Sequence, residues 1–363
     1  MELGRMAEPM TRTRLLSIDA MRGLAALTVL CHHIEREYGL SFGFPYGYLA
    51  VDLFFLMSGF VIAGAYEPRM NAHMGPLSFL AIRLKRLYPM IFLGALLGVG
   101  AAWSRHASPL TLIWGGLSAL TMVPLLWSAD VLFPINIPEW SLFFEIVANL
   151  LHRILRPILN LGGIGLCLGL SVLGLLLAGW KLHGLANGWS PATFWGGLPR
   201  ALFSYFLGVL LYRLTAKGWL HAPTLPLPLP MLAFIAVVLL EAVVGRRIPA
   251  SAYWLAAIAV AFPILFLFTV QARAPKAFAK FASGLGDLSY PLYAVHVPLL
   301  VLADPLVLHF TGPARIAAAA VAAGAVVVIA LLLNAVYDRP VRRMLEGRRR
   351  DPAPETEVQI AAP

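Results

Sequence analysis

The chain has 363 residues, 60% of them hydrophobic and only 13% charged, about half of the roughly 25% charged fraction of an ordinary soluble domain. That balance excludes a soluble globular protein, because uncharged runs of about 20 residues, enough to cross the hydrocarbon core, recur at 161–180, 251–272 and 316–333. The net charge of +10 does not signal a nucleic-acid partner, since the Lys and Arg residues cluster in short segments beside the apolar runs, where they set topology and meet anionic headgroups.

Taken in order, residues 1–16 carry Arg5, Arg12 and Arg14 and read as a cytoplasmic segment ahead of an uncleaved signal anchor. Apolar runs and their breakers then predict spans at 17–36, 48–66, 87–103, 138–153, 157–180, 195–213, 229–245, 251–271, 286–304 and 315–337. The expected fold is therefore all-α, a polytopic membrane protein of about ten transmembrane helices. Residues 17–340 form its membrane domain, and residues 341–363 are a basic, disordered cytoplasmic tail with little to bury. Trp103, Trp180, Trp189, Trp219 and Trp254 near span ends suit an aromatic belt. Cys31 and Cys167 both lie in apolar runs, so neither a disulfide framework nor a zinc site is indicated.

Between the third and fourth spans, residues 109–134 are apolar but broken by Gly115, Gly116 and Pro124. Basic clusters at Arg12/Arg14, Arg83/Lys85/Arg86, Arg153/Arg156, Arg213/Lys217, Arg273/Lys276/Lys280 and from Arg339 onward fall on one side only if this segment enters without crossing. A re-entrant or interfacial segment, both termini in the cytoplasm, and Arg246 and Arg247 as the exception outside are the expectation. Residues 76–89 read as an amphipathic helix lying in the cytoplasmic interface ahead of the third span.

The first span holds the ionisable groups that most need explanation: Asp19, Arg22, His32 and His33. A charge at membrane depth costs several kcal/mol unless paired, so each is a candidate functional residue. Eleven residues separate Arg22 from His33, almost three helical turns, which leaves them about 20° apart around the axis. Asp19, three residues before Arg22, joins the same stripe, whereas His32 points about 100° away. Glu145, on the short apolar span that begins at Trp140, must likewise be paired or protonated.

These residues lie within five fragments in order: Ile18-Asp19-Ala20-Met21-Arg22-Gly23 with His33 following, Phe54-Phe55-Leu56-Met57-Ser58-Gly59-Phe60, Arg83-Leu84-Lys85-Arg86-Leu87-Tyr88-Pro89, Trp140-Ser141-Leu142-Phe143-Phe144-Glu145, and Leu288-Ser289-Tyr290-Pro291-Leu292-Tyr293-Ala294-Val295-His296. Together with the closing Asp338-Arg339-Pro340, the series resembles the acyltransferase-3 family of membrane-bound O-acyltransferases over nearly the whole chain. Asp338 stands where that family usually has glutamate, and Ala20 where it often has glycine.

The resemblance implies transfer of an acyl group, usually acetyl, from a cytoplasmic acyl-CoA to a hydroxyl of a glycan, lipid or small molecule, with acyl-CoA as donor substrate and no permanently bound cofactor. It also implies a protein integral to the plasma or inner membrane. His33 is then the candidate base or a transient acyl carrier, oriented and charged by Asp19 and Arg22, with Glu145 as a partner of His33 or Arg22. Arg83 and Arg86, three residues apart, are candidates to grip the CoA phosphates with their guanidinium forks. Trp140, Ser141, Tyr290 and His296 are candidate substrate-side residues, although anchoring at the interface suits Trp140 and helix packing suits Ser58-Gly59 and Ser289-Tyr290. A transporter using the buried Asp, Arg, His and Glu as a proton or ligand path is the alternative, as is a purely structural membrane partner; no inverted repeat favours transport.

Overall fold

The computed structural model describes residues 12–346 except residues 73, 183 and 245–247. The beginning of the expected N-terminal segment, Arg246-Arg247 and the tail from residue 347 lie outside the described residues. Fourteen α-helices follow one another, and no strand occurs among the described residues. They are α1 (Arg12–Tyr38), α2 (Ala50–Ala72), α3 (Pro76–Ser104), α4 (Pro109–Thr121), α5 (Glu139–Leu155), α6 (Leu161–Leu182), α7 (Phe194–Ala216), α8 (Pro228–Val244), α9 (Ala250–Ala256), α10 (Phe262–Gln271), α11 (Lys276–Leu302), α12 (Asp304–Val307), α13 (Gly312–Leu333) and α14 (Arg339–Glu346). Helices alone suit a bilayer, because every backbone N–H and C=O must find its partner within the segment.

Seven helices among the described residues are long and apolar enough to cross, against the ten expected. The shortfall has two causes. Helix α1 is long enough, at 27 residues, but its stripe of Asp19, Arg22 and paired histidines makes it too polar. Helices α5 and α8 have 17 residues each, about 25 Å at 1.5 Å per residue, less than the roughly 30 Å hydrocarbon core. Helix α4 is shorter still, 13 residues from its Ser108 cap to the left-handed Met122 that ends it, and spans about 20 Å.

Residues 76–89, expected as an amphipathic helix leading into the third span, are the first turns of the 29-residue α3, which continues through Pro89. A proline removes one donor, a loss that neighbouring helices make tolerable inside a membrane bundle. Residues 341–346, the start of the expected tail, belong to α14, where Arg342 pairs with Asp338 at 2.6 Å in an i,i+4 step.

The centre of the bundle is built on two close helix pairs. A Cβ on Gly23 of α1 would lie 2.2 Å from the Leu285 carbonyl oxygen of α11, and one on Gly286 would lie 2.8 Å from the Asp19 Cβ. Gly59 of α2 and Gly208 of α7 meet the opposing backbone in the same way, at Tyr205 O (1.9 Å) and Leu56 O (2.0 Å). Small residues let the backbones approach where lipid offers no hydrophobic drive to hold helices together. Ser58-Gly59 thus serves packing through Gly59. By contrast α6 turns Leu166, Leu170, Leu173 and Leu176 outward, the pattern of a lipid-facing helix.

Candidate active site

Helices α1, α2, α3, α5 and α11 converge on a partly open cavity whose polar lining includes Arg22, Ser58, Arg83, Arg86, Ser141, Glu145, Tyr290 and Tyr293. Three guanidinium groups face one volume, and each has a different status. Arg83, 6% exposed, is held by Glu145, its terminal nitrogen 3.0 Å from Oε1, while Ser58 donates to the same oxygen at 2.8 Å. The Nε–H of Arg83 is buried without a protein partner. Arg22 meets Asp19 at 3.4 Å, a loose contact to a carboxylate that is 48% exposed. Arg86 makes no hydrogen bond or ion pair with any described residue. The cavity therefore has an excess of positive charge and free N–H donors, the chemistry that receives an anion in bidentate fashion.

Arg22, Arg86 and Tyr290 also line a second, more polar cavity, which adds Asp19, Asp287, Asn334, Asp338 and Arg342. A π-helical turn, Asn334–Asp338, leads into α14 here, and such turns recur at functional sites. Tyr290 spans both cavities, but its hydroxyl is engaged by the Leu87 carbonyl, which locks α11 to α3.

The stripe on α1 is resolved by distance along the axis. Eleven residues at 1.5 Å per residue set Arg22 and His33 about 16 Å apart, so sharing a face does not place them at one point. Asp19 and Arg22 belong to the cationic end. His33 lies in a histidine cluster instead, its ring centroid 5.0 Å from His296 of α11 and 5.3 Å from His32. Glu145 pairs with Arg83, and neither Arg22 nor His33 is its partner. The Nδ1 of His296 lies 3.1 Å from Leu292 O and 3.0 Å from Tyr293 O; carbonyls only accept, so Nδ1 carries the proton and Nε2 holds a lone pair, with no protein partner. His32 is turned to Phe44 O at 3.1 Å.

Of the remaining candidates, Ser141 lines the cavity and contacts Tyr293 at 2.5 Å. Trp140, its neighbour on α5, does not line it. Its indole packs over the Arg200 guanidinium at 5.2 Å, sharing that cation with Tyr48 and Trp254. Arg200 in turn forms two hydrogen bonds with Asp52, at 2.9 and 2.7 Å, both residues fully buried. A second buried network joins Glu67 to His152 (3.0 Å) and Arg213 (2.8 Å). Neither group was singled out from the sequence, yet the signal existed: Asp52, Glu67, His152 and Arg200 are ionisable residues inside apolar runs, the criterion that drew attention to Asp19.

The fold is a bundle of apolar, membrane-spanning helices around a cationic cavity, and comparison with known proteins specifies its class. The acyltransferase-3 family model, described as an acyltransferase domain, matches residues 15–335, and the chain belongs to that family. It is thus an integral membrane acyltransferase. A curated relative, "Protein 2 in picA locus" of Rhizobium radiobacter, is 33% identical over 159 residues, covering 38% of this chain and 81% of that protein. No solved structure matches the chain.

Proposed function

We propose that the chain transfers an acetyl group from acetyl-CoA to a hydroxyl of a glycan, lipid or small-molecule acceptor. The observation that carries this reading is the separation of two chemistries along α1: a cavity with three arginines and one carboxylate, Glu145, at one end, and the His33–His296 pair about 16 Å further on. An acyl-CoA has the same layout. Its phosphates are joined to its thioester by a linear arm comparable to a peptide of four or five residues, about 15 Å when extended at roughly 3.5 Å per residue. Arg83 and Arg86 hold phosphate oxygens, with Arg22 adding charge, and the thioester reaches toward the histidines.

In the chemical step His33 takes the proton from the acceptor hydroxyl. The oxygen attacks the thioester carbonyl carbon, the tetrahedral adduct collapses with cleavage of the C–S bond, and the departing thiolate regains a proton from the His33 imidazolium. No net proton is gained or lost. His296, proton-bearing at Nδ1 and open at Nε2, packs its ring against His33 and leaves a lone pair beside it. Arg156 and Arg213 meet at Glu67 near the ends of α5 and α7, and the positive-inside rule supports a cytoplasmic side for that end and for the donor.

The test is thioester consumption by the purified protein in detergent, read as free thiol released from acetyl-CoA with soluble sugars or lipid-linked glycans as acceptors. Acceptor-dependent release supports the reading. Binding of acetyl-CoA without any release, under conditions where the protein is folded, contradicts it and favours a transport path.

A further inference from the structure

The proposed reaction builds negative charge on the thioester carbonyl oxygen, and neither the histidines nor the phosphate-binding arginines account for it. Cavity-lining hydroxyls offer the remaining donors. Ser58 is committed to Glu145 and Tyr290 to the Leu87 carbonyl. Ser289 lies on α11 four residues before Tyr293, about 6 Å nearer the arginine end. Ser141 and Tyr293 differ in position: Ser141 sits one turn of α5 beyond Glu145, and Tyr293 about one turn of α11 beyond Tyr290, both away from the arginines. Tyr293 is also the link to the histidine cluster, its ring centroid 5.9 Å from that of His296, which is 5.0 Å from His33.

The protons of this hydroxyl pair can be assigned. The Pro138 carbonyl accepts from Ser141 Oγ at 3.0 Å and, more weakly, from the Tyr293 hydroxyl at 3.4 Å, so the shorter arrangement has Ser141 as its donor. A serine hydroxyl has one proton to give. In that arrangement Tyr293 donates in the 2.5 Å contact with Ser141, where either hydroxyl has the geometry to give the proton, and its proton is the one free to turn. Swinging that proton from a neutral hydroxyl to a developing oxyanion exchanges an ordinary hydrogen bond for a charge-assisted one, roughly twice as strong. Ser141 keeps its bond to Pro138, so nothing buried is stranded by the move.

We propose that Tyr293 is a catalytic residue, its hydroxyl donating to the thioester carbonyl oxygen as the tetrahedral adduct forms, with Ser141 as the partner that holds it between turnovers. This rests on the acetyl-transfer reading above. As His33 removes the acceptor proton and the new C–O bond forms, the carbonyl π electrons move onto oxygen, where the Tyr293 proton meets them. As the C–S bond breaks they return, and the Tyr293 proton reverts to Ser141.

The experiment compares Tyr293→Phe, Ser141→Ala, Arg86→Gln and the wild-type protein, each in detergent, by thiol release from acetyl-CoA and by direct acetyl-CoA titration. Loss of one oxyanion donor predicts a fall in kcat of about 100- to 1,000-fold for Tyr293→Phe, with acetyl-CoA affinity within about twofold of wild type and an unchanged melting temperature. Ser141→Ala leaves the tyrosine donor in place and loses less than about tenfold. Arg86→Gln shows the reverse split, weaker binding with kcat retained. Tyr293→Phe turning over within about threefold of an active wild type overturns the proposal, as does a loss of acetyl-CoA affinity that matches its loss of rate. A wild-type protein that binds acetyl-CoA but releases no thiol overturns the transfer reading itself, and this proposal with it.

Discussion

Arg200–Asp52 and Arg83–Glu145 are both buried arginine–carboxylate pairs, and they differ in what they leave undone. Arg200 is saturated: two hydrogen bonds to Asp52, one to the Asn187 carbonyl, and three aromatic faces around the guanidinium. Arg83 has one hydrogen bond to a carboxylate, which Ser58 shares, and retains an unpartnered Nε–H beside a cavity. Burial alone therefore does not identify a ligand site. A charge whose donors are all used ties helices together, here α2 to α7, whereas a buried charge with donors to spare facing a void has the capacity to bind.

That contrast predicts opposite consequences for mutations of the two arginines. Removing Arg200 strands Asp52 in the interior, and breaking a buried pair from one side costs about 3–5 kcal/mol. Arg200→Ala is expected to unfold at a markedly lower temperature in detergent or to be lost during purification. Thermal melts that overlay the wild type would show that the saturated pair is not structural. His33→Ala is expected to fold and to bind acetyl-CoA normally while losing about 100- to 10,000-fold in turnover, the usual contribution of a general base. His32, engaged by the Phe44 carbonyl and turned off the stripe, is expected to lose far less when changed to Ala. Equal losses in the two histidine variants would remove the distinction between them.

Arg83→Gln is the third test. A charge-assisted hydrogen bond contributes about 1.5–3 kcal/mol, so acetyl-CoA affinity should fall roughly 10- to 100-fold, with little change in melting temperature because Glu145 keeps Ser58. If stability falls as far as in Arg200→Ala, Arg83 belongs with the structural pair. The smallest signal concerns sidedness. A cysteine at Lys217, which caps the end of α7 beside Arg213, should resist an impermeant thiol reagent added outside. One at Asp130, two residues from Leu132, whose N–H meets the Trp189 carbonyl near the opposite end of α7, should react. The reverse pattern would put the arginine cavity outside, where acyl-CoA is absent.

Much of this was legible in the sequence, and the failures have identifiable physical causes. The helices follow from apolar runs bounded by Gly, Pro and basic residues, and the Asp19–Arg22 contact follows from an i,i+3 step. The need of Glu145 for a partner follows from its apolar surroundings, but choosing Arg83 over Arg22 or His33 required knowing which faces of α3 and α5 meet. The stripe argument used angle and neglected rise: a helical wheel superimposes Arg22 and His33, and the helix axis separates them by about 16 Å. Trp140 read as a substrate or interface residue because its cation, Arg200, is 60 positions away in sequence. Residues 76–89 were legible as a helix leading into the third span, and their continuity with it through Pro89 depends on the neighbouring helices that make a proline tolerable there. His296 and Tyr293 gained their significance only from the packing of α11 on α1, set by Gly23 and Gly286.

The central claim, that donor binding and transfer chemistry sit at opposite ends of the α1 stripe, is tested most directly by titrating acetyl-CoA into purified Arg86→Gln and His33→Ala beside the wild type, with thiol release measured on the same samples. The account predicts a crossover: Arg86→Gln binds about tenfold or more weakly yet turns over when acetyl-CoA is saturating, while His33→Ala binds as the wild type does and releases no thiol. Wild-type affinity in Arg86→Gln, or loss of acetyl-CoA binding in His33→Ala, would contradict it.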